Sequence, residues 1–164
     1  MSTSPMARWH ASPPRSTSRP PRVIVADDDD DLRALIVTAL RGAGYQPVAV
    51  KSGAELLDQM SDALLSGEPS RGPDLIITDV RMPGLTGLGI LLGARQAHWP
   101  GSFILMTAYP DPHIREEAER CGAVFFSKPF EIDDLVTAVL NLAPPGKVRS
   151  TVPPPRPATP RVAR

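Results

Sequence analysis

The stretch Val-Ile-Val-Ala-Asp-Asp-Asp-Asp-Asp-Leu-Arg at residues 23–33 indicates the fold, because a short apolar run in it ends at five consecutive aspartates. Four-residue apolar runs bounded by polar residues are typical of strands buried on both faces of a parallel sheet. Beyond the aspartates, apolar residues recur at the three- and four-residue spacing of an amphipathic helix, namely Leu32, Leu35, Ile36, Ala39 and Leu40. The stretch therefore predicts a strand followed by a helix, the repeating unit of an α/β protein.

The same alternation continues along the chain. Apolar runs at 75–78, 103–106 and 124–127 each lead to a polar residue, and 46–50 predicts a shorter strand. Helix starts are indicated by a capping box at Ser52 and by Asp111-Pro112, whereas Gly89 and Gly93 weaken the third helix. Five strand–helix units in about 120 residues predict a flavodoxin-like, doubly wound, five-stranded parallel sheet of order 2-1-3-4-5 with five helices.

Charge and proline are unevenly distributed along the 164 residues. The formal net charge is zero, yet all eighteen acidic residues lie within 23–142, and twelve of the twenty prolines lie outside that range. Proline-rich segments with few large apolar residues bury too little surface to offset their ordering entropy. We expect one folded domain at 22–143 between disordered basic tails at 1–21 and 144–164. Composition favours solvated tails over contacts with nucleic acid or acidic surfaces.

Several classes of protein are disfavoured by what the sequence contains. No apolar stretch approaches the ~20 residues of a membrane span, and the start lacks the apolar section of a secretory signal. A single cysteine, Cys121, excludes an internal disulfide framework. The glycine-rich stretch 84–89 lacks the order of a dinucleotide-binding loop, and the three histidines lack metal-ligand spacing. These features favour a cytoplasmic protein without a nucleotide loop.

Polar residues at the ends of the predicted strands form the candidate site. In a parallel α/β sheet the carboxyl ends of the strands meet at one edge, where ligands bind. This would bring together the aspartate run at 27–31, Asp79, Thr107 and Lys128. Carboxylates, a hydroxyl and an ammonium suit a divalent cation and a phosphoryl group. Asp79, at the end of the central strand, is the candidate nucleophile, with a helix cap or loop acid as the alternative.

The five aspartates allow two registers. In the first, Asp27 and Asp28 join Asp79 in holding Mg²⁺, with Mn²⁺ as an alternative ion, and the remaining aspartates cap and start the first helix. A slip of one residue would put Asp29 in the place of Asp27. Thr107, in turn, is either a phosphoryl ligand or an ordinary β-branched strand residue.

Four motifs together resemble the receiver domain of bacterial response regulators. They are the stretch at 23–33, Pro-Asp-Leu-Ile-Ile-Thr-Asp-Val-Arg-Met-Pro-Gly at 73–84, Leu-Met-Thr-Ala-Tyr at 105–109 and Ser-Lys-Pro-Phe at 127–130. The resemblance covers about residues 22–142 and implies that Asp79 is the phosphorylated aspartate. It also implies that the backbone carbonyl of Arg81 is a metal ligand.

The resemblance assigns roles to further residues. Pro129 matches the family's cis proline, which would aim Lys128 into the site. Phe125 occupies the aromatic switch position, where the ring turns inward when the hydroxyl of Thr107 moves; a permanently buried core phenylalanine is the alternative. Arg81 and Tyr109 flank the path of the attacking water, and bulky residues at both positions predict slow self-dephosphorylation.

The resulting expectation is a stand-alone, chemotaxis-regulator-like receiver, because too few residues follow the fifth helix for a DNA-binding domain. The donor would be a sensor histidine kinase, and the output a changed affinity for a downstream protein at the face 111–142. Such a domain assists its own phosphorylation and dephosphorylation without being a free-standing enzyme, and its oligomeric state stays open.

Three alternatives accompany this expectation. The chain could pass the phosphoryl group on to a histidine phosphotransfer protein, or act as a binding module that needs no phosphorylation. A small hydrolase or nucleotide-binding domain would need a second acid where Arg81 stands, or a phosphate loop that the sequence lacks.

Overall fold

The computed structural model describes residues 19–68 and 71–146, so the predicted disordered tails lie largely outside the described residues. Strands and helices alternate throughout: β1 Arg22–Ala26, α1 Asp30–Gly42, β2 Gln46–Val50, α2 Gly53–Ser66, β3 Leu75–Asp79, α3 Gly87–Gln96, β4 Ser102–Thr107, α4 Pro112–Arg120, β5 Val124–Ser127 and α5 Ile132–Leu142. This is the predicted series of five strand–helix units.

The five strands form one sheet in the order β2-β1-β3-β4-β5, and all neighbouring strands are parallel. The predicted flavodoxin-like topology is therefore confirmed. Alternate strand residues face opposite sides: Ile24 packs in a cluster with residues of α2 and α3, whereas Val25 packs with residues of α1 and α5. Both faces of the sheet are covered, which explains why its strands read as continuous apolar runs.

Side-chain caps begin four of the helices. The side chains of Asp29, Ser52, Thr86 and Asp111 accept hydrogen bonds from backbone N–H groups in the first turns of α1 to α4. The predicted caps at Ser52 and Asp111 are thus present. Helix α3 forms despite Gly89 and Gly93.

Helix α4 ends at Arg120, two residues before Gly122, which adopts a φ of 75° that a right-handed helix cannot continue. Strand β5 ends at Ser127, as the apolar run 124–127 predicts, so Lys128 is the first residue beyond it.

A buried hydrogen bond ties the residue after α5 to the segment between α1 and β2. The hydroxyl of Tyr45 donates to the backbone carbonyl of Ala143 at 2.8 Å, and burial raises the pKa of Tyr45. Among the described residues, no helix has the length and apolar character needed to cross a membrane.

Candidate functional site

Three carboxylates converge at the carboxyl ends of β1 and β3. Asp27, Asp28 and Asp79 each offer an oxygen, and these oxygens lie within 4.8 Å of one another. Asp27 has no exposed surface and Asp79 is 7% exposed, whereas Asp28 is exposed to solvent. Adjacent parallel strands bring the carboxylates together, because β1 pairs directly with β3. Oxygen ligands of this kind suit a hard divalent cation.

In the turn after β1, Asp27 belongs to the carboxylate cluster, whereas Asp29 caps helix α1. The N–H of Asp29 donates to Oδ1 of Asp27 at 2.9 Å. The carboxylate of Asp29 itself accepts from the N–H groups of Asp31 and Leu32 as the cap of α1. The carboxylate cluster therefore contains Asp27, and Asp29 is occupied at the helix start. This geometry corresponds to the first of the two registers.

Lys128 bridges two of the clustered carboxylates. Its Nζ lies 2.8 Å from Oδ2 of Asp27 and 2.8 Å from Oδ2 of Asp79. The backbone N–H of Lys128 donates to the carbonyl of Thr107 at 2.8 Å, which anchors the end of β5 to the end of β4. The peptide bond between Lys128 and Pro129 is cis. The outcome is a single ammonium shared by two acids.

Burial and charge act in opposite directions on these groups. Burial raises the pKa of Asp27, the nearby charge of Asp79 adds to it, and the hydrogen bonds from Lys128 and the Asp29 N–H only partly offset it. Burial alone would lower the pKa of Lys128, but its hydrogen bonds and charge interactions with both aspartates outweigh this, so the net shift is upward. Lys128 is therefore charged at neutral pH.

Asp79 and Thr107 are each held by the backbone two residues further along the chain. Oδ1 of Asp79 accepts from the N–H of Arg81 at 2.9 Å, and Oγ1 of Thr107 accepts from the N–H of Tyr109 at 3.1 Å. Thr107 is buried at the end of β4. The two hydrogen bonds fix the starts of the loops that follow β3 and β4.

A side chain from each of those loops contacts the other. The guanidinium of Arg81 lies 4.7 Å from the centre of the Tyr109 ring, in a cation–π contact. Tyr109 is 65% exposed, so this pair lies on the outside of the molecule. It joins the loop after β3 to the loop after β4.

Phe125 is half-buried on β5, where its register partner in β4 is Leu105. The guanidinium of Arg115 on α4 lies 5.0 Å from the centre of its ring. The ring therefore packs against the core and also contacts a cation from the neighbouring helix.

For two residues near the site, the sequence predicted no role. Arg33 donates from Nη1 to the carbonyl of Asp27 at 2.6 Å. Its three-residue spacing from Asp30 on a helix was the available signal. A Cβ atom on Gly87 would lie 2.2 Å from the carbonyl oxygen of Asp79, so the start of α3 packs directly on the end of β3. Nothing in the local sequence indicates that contact.

The chain matches the family model described as the response regulator receiver domain over residues 23–140. It is 36% identical over 118 residues to the DNA-binding transcriptional regulator NtrC of Escherichia coli (strain K12), covering 71% of this chain and 24% of NtrC. It is 29% identical over 124 residues to the sporulation initiation phosphotransferase F of Bacillus subtilis (strain 168), covering 75% of this chain and 94% of that protein.

The chain is also similar to a solved receiver-domain structure. The Francisella response regulator 1452 receiver domain superposes with a TM-score of 0.65 at 28% identity, covering 77% of this chain and 99% of the other. The chain thus spans about a quarter of the length of NtrC and nearly the whole of the two shorter proteins.

Proposed function

This chain belongs to the response regulator receiver domain family, and on that basis we propose that Asp79 accepts a phosphoryl group from the phosphohistidine of a sensor kinase. Receiver domains of two-component systems are phosphoacceptors, and the acidic cluster has the groups such a reaction needs. The observation that carries the assignment is the 2.8 Å contact between Asp79 and Lys128 beside two further carboxylates.

Asp79 is better placed than Asp27 for this role. Asp27 has no exposed surface, so an incoming phosphoryl group cannot reach it. Asp79 retains some exposure, and the ammonium of Lys128 lies against it, ready to bind an oxygen of the transferred group. Phosphoryl transfer depends mainly on positioning and on positive charge around the equatorial oxygens. Lys128 and a bound cation would supply that charge.

Mg²⁺ is the ion that these residues fit, with Mn²⁺ as an alternative. Asp27, Asp28 and Asp79 would contribute carboxylate oxygens, and the backbone carbonyl of Arg81 a further ligand. When bound, the ion neutralises charge on the phosphoryl oxygens. It would also relieve the repulsion between the carboxylates, because like charges within 4.8 Å disfavour each other's ionisation.

The proposed output is a change of partner affinity at the face 111–142. Thr107 would turn its hydroxyl toward the phosphoryl group, and Phe125 would move inward into the space that this opens. The half-buried position of Phe125 supports such a movement, since its ring contacts both the core and the guanidinium of Arg115. A downstream protein binding there would respond to the phosphorylation state.

The phosphodonor would dock beside the site, on the side of α1. An open groove there is lined by Asp29, Leu32, Ala108, Lys128, Pro129 and Phe130. Leu35, one helical turn beyond Leu32, is 52% exposed. An apolar groove next to the acceptor carboxylate suits a helical donor whose phosphohistidine must reach Asp79.

The domain boundaries and setting complete the proposal. Residues 22–143 would form the receiver unit, in the cytoplasm, assisting its own phosphorylation and dephosphorylation without being a free-standing enzyme. Limited trypsin digestion tests the boundaries, because arginines lie in 1–21 and arginines and one lysine lie in 144–164. A resistant fragment close to 22–143 is expected, and cleavage inside that range at the same rate would contradict the boundaries.

Gel mobility on a phosphate-binding matrix tests the function. Wild type, Asp79→Asn and the exposed control Asp58→Asn are treated with acetyl phosphate, with and without Mg²⁺. A retarded band is expected for wild type and the control with Mg²⁺, and its loss in Asp79→Asn. A retarded band that persists in Asp79→Asn would contradict the assignment of Asp79 as the phosphoacceptor.

A relay shuttle is the second candidate, favoured by the similarity to a protein named as a phosphotransferase over nearly its whole length. Rapid transfer from phosphorylated Asp79 to a histidine phosphotransfer protein is the expected result for a shuttle. A binding module that ignores phosphorylation would instead keep full output in the Asp79→Asn variant.

A further inference from the structure

Arg33 spans the turn that carries the clustered aspartates. Its Nη1 donates a hydrogen bond of 2.6 Å to the backbone carbonyl of Asp27, and its Nη2 pairs with the carboxylate of Asp30. Because Arg33 lies in the first turn of α1, its side chain points back toward the helix start. One side chain therefore joins the two ends of the turn from β1 to α1.

The bond to Asp27 is the important one of the two. Asp30 is 81% exposed, and ion pairs with exposed partners contribute little. Asp27 has no exposed surface, so water cannot hydrogen-bond to its carbonyl. A buried carbonyl that loses its donor is costly, and the backbone would shift to find another partner.

We propose that Arg33 is a positioning residue that holds the carboxylates of Asp27 and Asp28 in place for the metal. The inference rests on the proposed function, because it concerns the same metal site. The carbonyl of Asp27 belongs to the peptide unit that links Asp27 to Asp28. Both Cα atoms lie in that peptide plane, so fixing the plane limits the movement of the two points from which the side chains leave the backbone.

The direction of the change in Mg²⁺ affinity after Arg33 is removed distinguishes an effect of its charge from an effect of its positioning. A guanidinium near a cation site repels the metal, so an effect of charge alone would let Mg²⁺ bind more tightly after Arg33 is removed. A positioning effect has the opposite sign, because displaced carboxylates bind the ion less well. Loss of a residue that orients metal ligands typically weakens metal binding by about tenfold or more.

Calorimetric titration of the full 164-residue chain with Mg²⁺ tests the proposal. Arg33→Met removes both donors and the charge but keeps the apolar stem, and we expect it to weaken Mg²⁺ binding about tenfold. Arg33→Lys keeps the charge and one donor, so its affinity should lie between Arg33→Met and wild type. Arg41→Met, on the exposed last turn of the same helix, removes the same charge and should bind like wild type.

Two further readouts separate positioning from general destabilisation. Urea unfolding in the presence of a chelator reports the stability of each variant without metal. The EPR spectrum of bound Mn²⁺ reports the symmetry of its ligands and should change in Arg33→Lys, even if Arg33→Met fails to fold. Equal or tighter Mg²⁺ binding by Arg33→Met, or an unchanged spectrum and affinity in Arg33→Lys, would overturn the inference. Wild-type protein that binds no Mg²⁺ would overturn the proposed function itself.

Discussion

Lys128 and Asp79 are separated by 49 positions in the chain, yet Nζ of the first lies 2.8 Å from Oδ2 of the second. Both side chains are largely buried, at 16% and 11% exposure. The ion pair joins the ends of β5 and β3, which are not neighbours in the sheet. It therefore spans the end of β4, which lies between those two strands in the sheet.

Replacing Lys128 should destabilise the protein and make its stability depend on metal. Lys128→Met leaves Asp27 and Asp79 without their shared cation, and removal of one partner from a buried ion pair typically costs about 3 kcal/mol or more. The expected result is a loss of that order in the free energy of unfolding by urea, partly restored by Mg²⁺. Lys51→Met, at an exposed lysine, is the control. Equal losses in the two variants would contradict the prediction.

Acid should weaken metal binding because of Asp27. Burial raises the pKa of this carboxyl, so it takes up a proton at a higher pH in the folded protein than in the unfolded chain. Mg²⁺ needs the ionised form, and we expect its affinity to fall as pH drops through the raised pKa. Titrations with Mg²⁺ between neutral pH and the ordinary range of aspartate measure this. An affinity that stays constant over the interval would count against it.

The raised pKa of Asp27 also determines whether stability rises or falls with pH. A raised pKa means that the folded state binds the Asp27 proton more tightly, so ionisation of Asp27 lowers stability as pH rises through the window above 3.8. Asp27→Asn should therefore be more stable than wild type at neutral pH in metal-free buffer, yet should gain nothing from Mg²⁺. Urea unfolding with chelator and with Mg²⁺ measures both effects. The exposed Asp28→Asn variant should show only the second, and lower stability of Asp27→Asn would refute the assignment.

The contact between Arg81 and Tyr109 should lengthen the life of the phosphorylated form. A cation–π pair at an exposed position is worth about 0.5–1 kcal/mol, which corresponds to about a two- to fivefold change in how often the pair opens to water. Arg81→Ala and Tyr109→Ala should each shorten the phosphoryl half-life by that factor. The double variant should add little more, because either change alone removes the pair.

Tyr109→Phe is the matched control for this pair. It keeps the ring that contacts the guanidinium, so its half-life should stay close to that of wild type. Half-lives are followed by the decay of the retarded band after removal of acetyl phosphate. A half-life unchanged in both alanine variants would show that the pair does not shield Asp79.

Gly87 should tolerate no side chain. A Cβ atom there would lie 2.2 Å from the backbone oxygen of Asp79, so Gly87→Ala must displace either β3 or the start of α3. Overpacking of this kind costs about 1–3 kcal/mol, and we expect slower phosphorylation of Asp79 as well.

Gly93→Ala tests whether the effect is specific to that contact. Gly93 lies in the same helix with nothing within 4 Å of its Cβ position. Alanine there should stabilise the protein by about 0.5–1 kcal/mol, because it favours the helix. Phosphorylation rates and urea unfolding of both variants measure the difference. Normal phosphorylation of a well-folded Gly87→Ala variant would contradict the expected role.

The positions of the strands and of several helix starts could be predicted from local patterns. Each strand is a short apolar run, and the helices α2 and α4 begin at capping residues that the sequence shows directly. Such signals are local, since they depend on residues within one or two turns of each other. The rule that parallel strands end at one edge then predicted which polar residues would converge.

The contacts within the site depend on distances between segments far apart in the chain. The five aspartates looked alike in sequence, and the hydrogen bonds of Asp29 distinguish their tasks. The approach of Gly87 to Asp79 depends on how α3 packs against β3, which no local pattern encodes. The pairing of Arg81 with Tyr109 likewise depends on the distance between two loops.

The sequence by itself determined the receiver fold and the polar residues that end its strands, because apolar periodicity and strand ends are properties of neighbouring residues. Only the tertiary structure decided that Asp27 is fully buried against Lys128 and that Arg33 holds the carbonyl of Asp27. Burial and hydrogen-bond geometry arise when separate strands and helices pack together. They fix the charge balance of the site, which the order of residues along the chain does not contain.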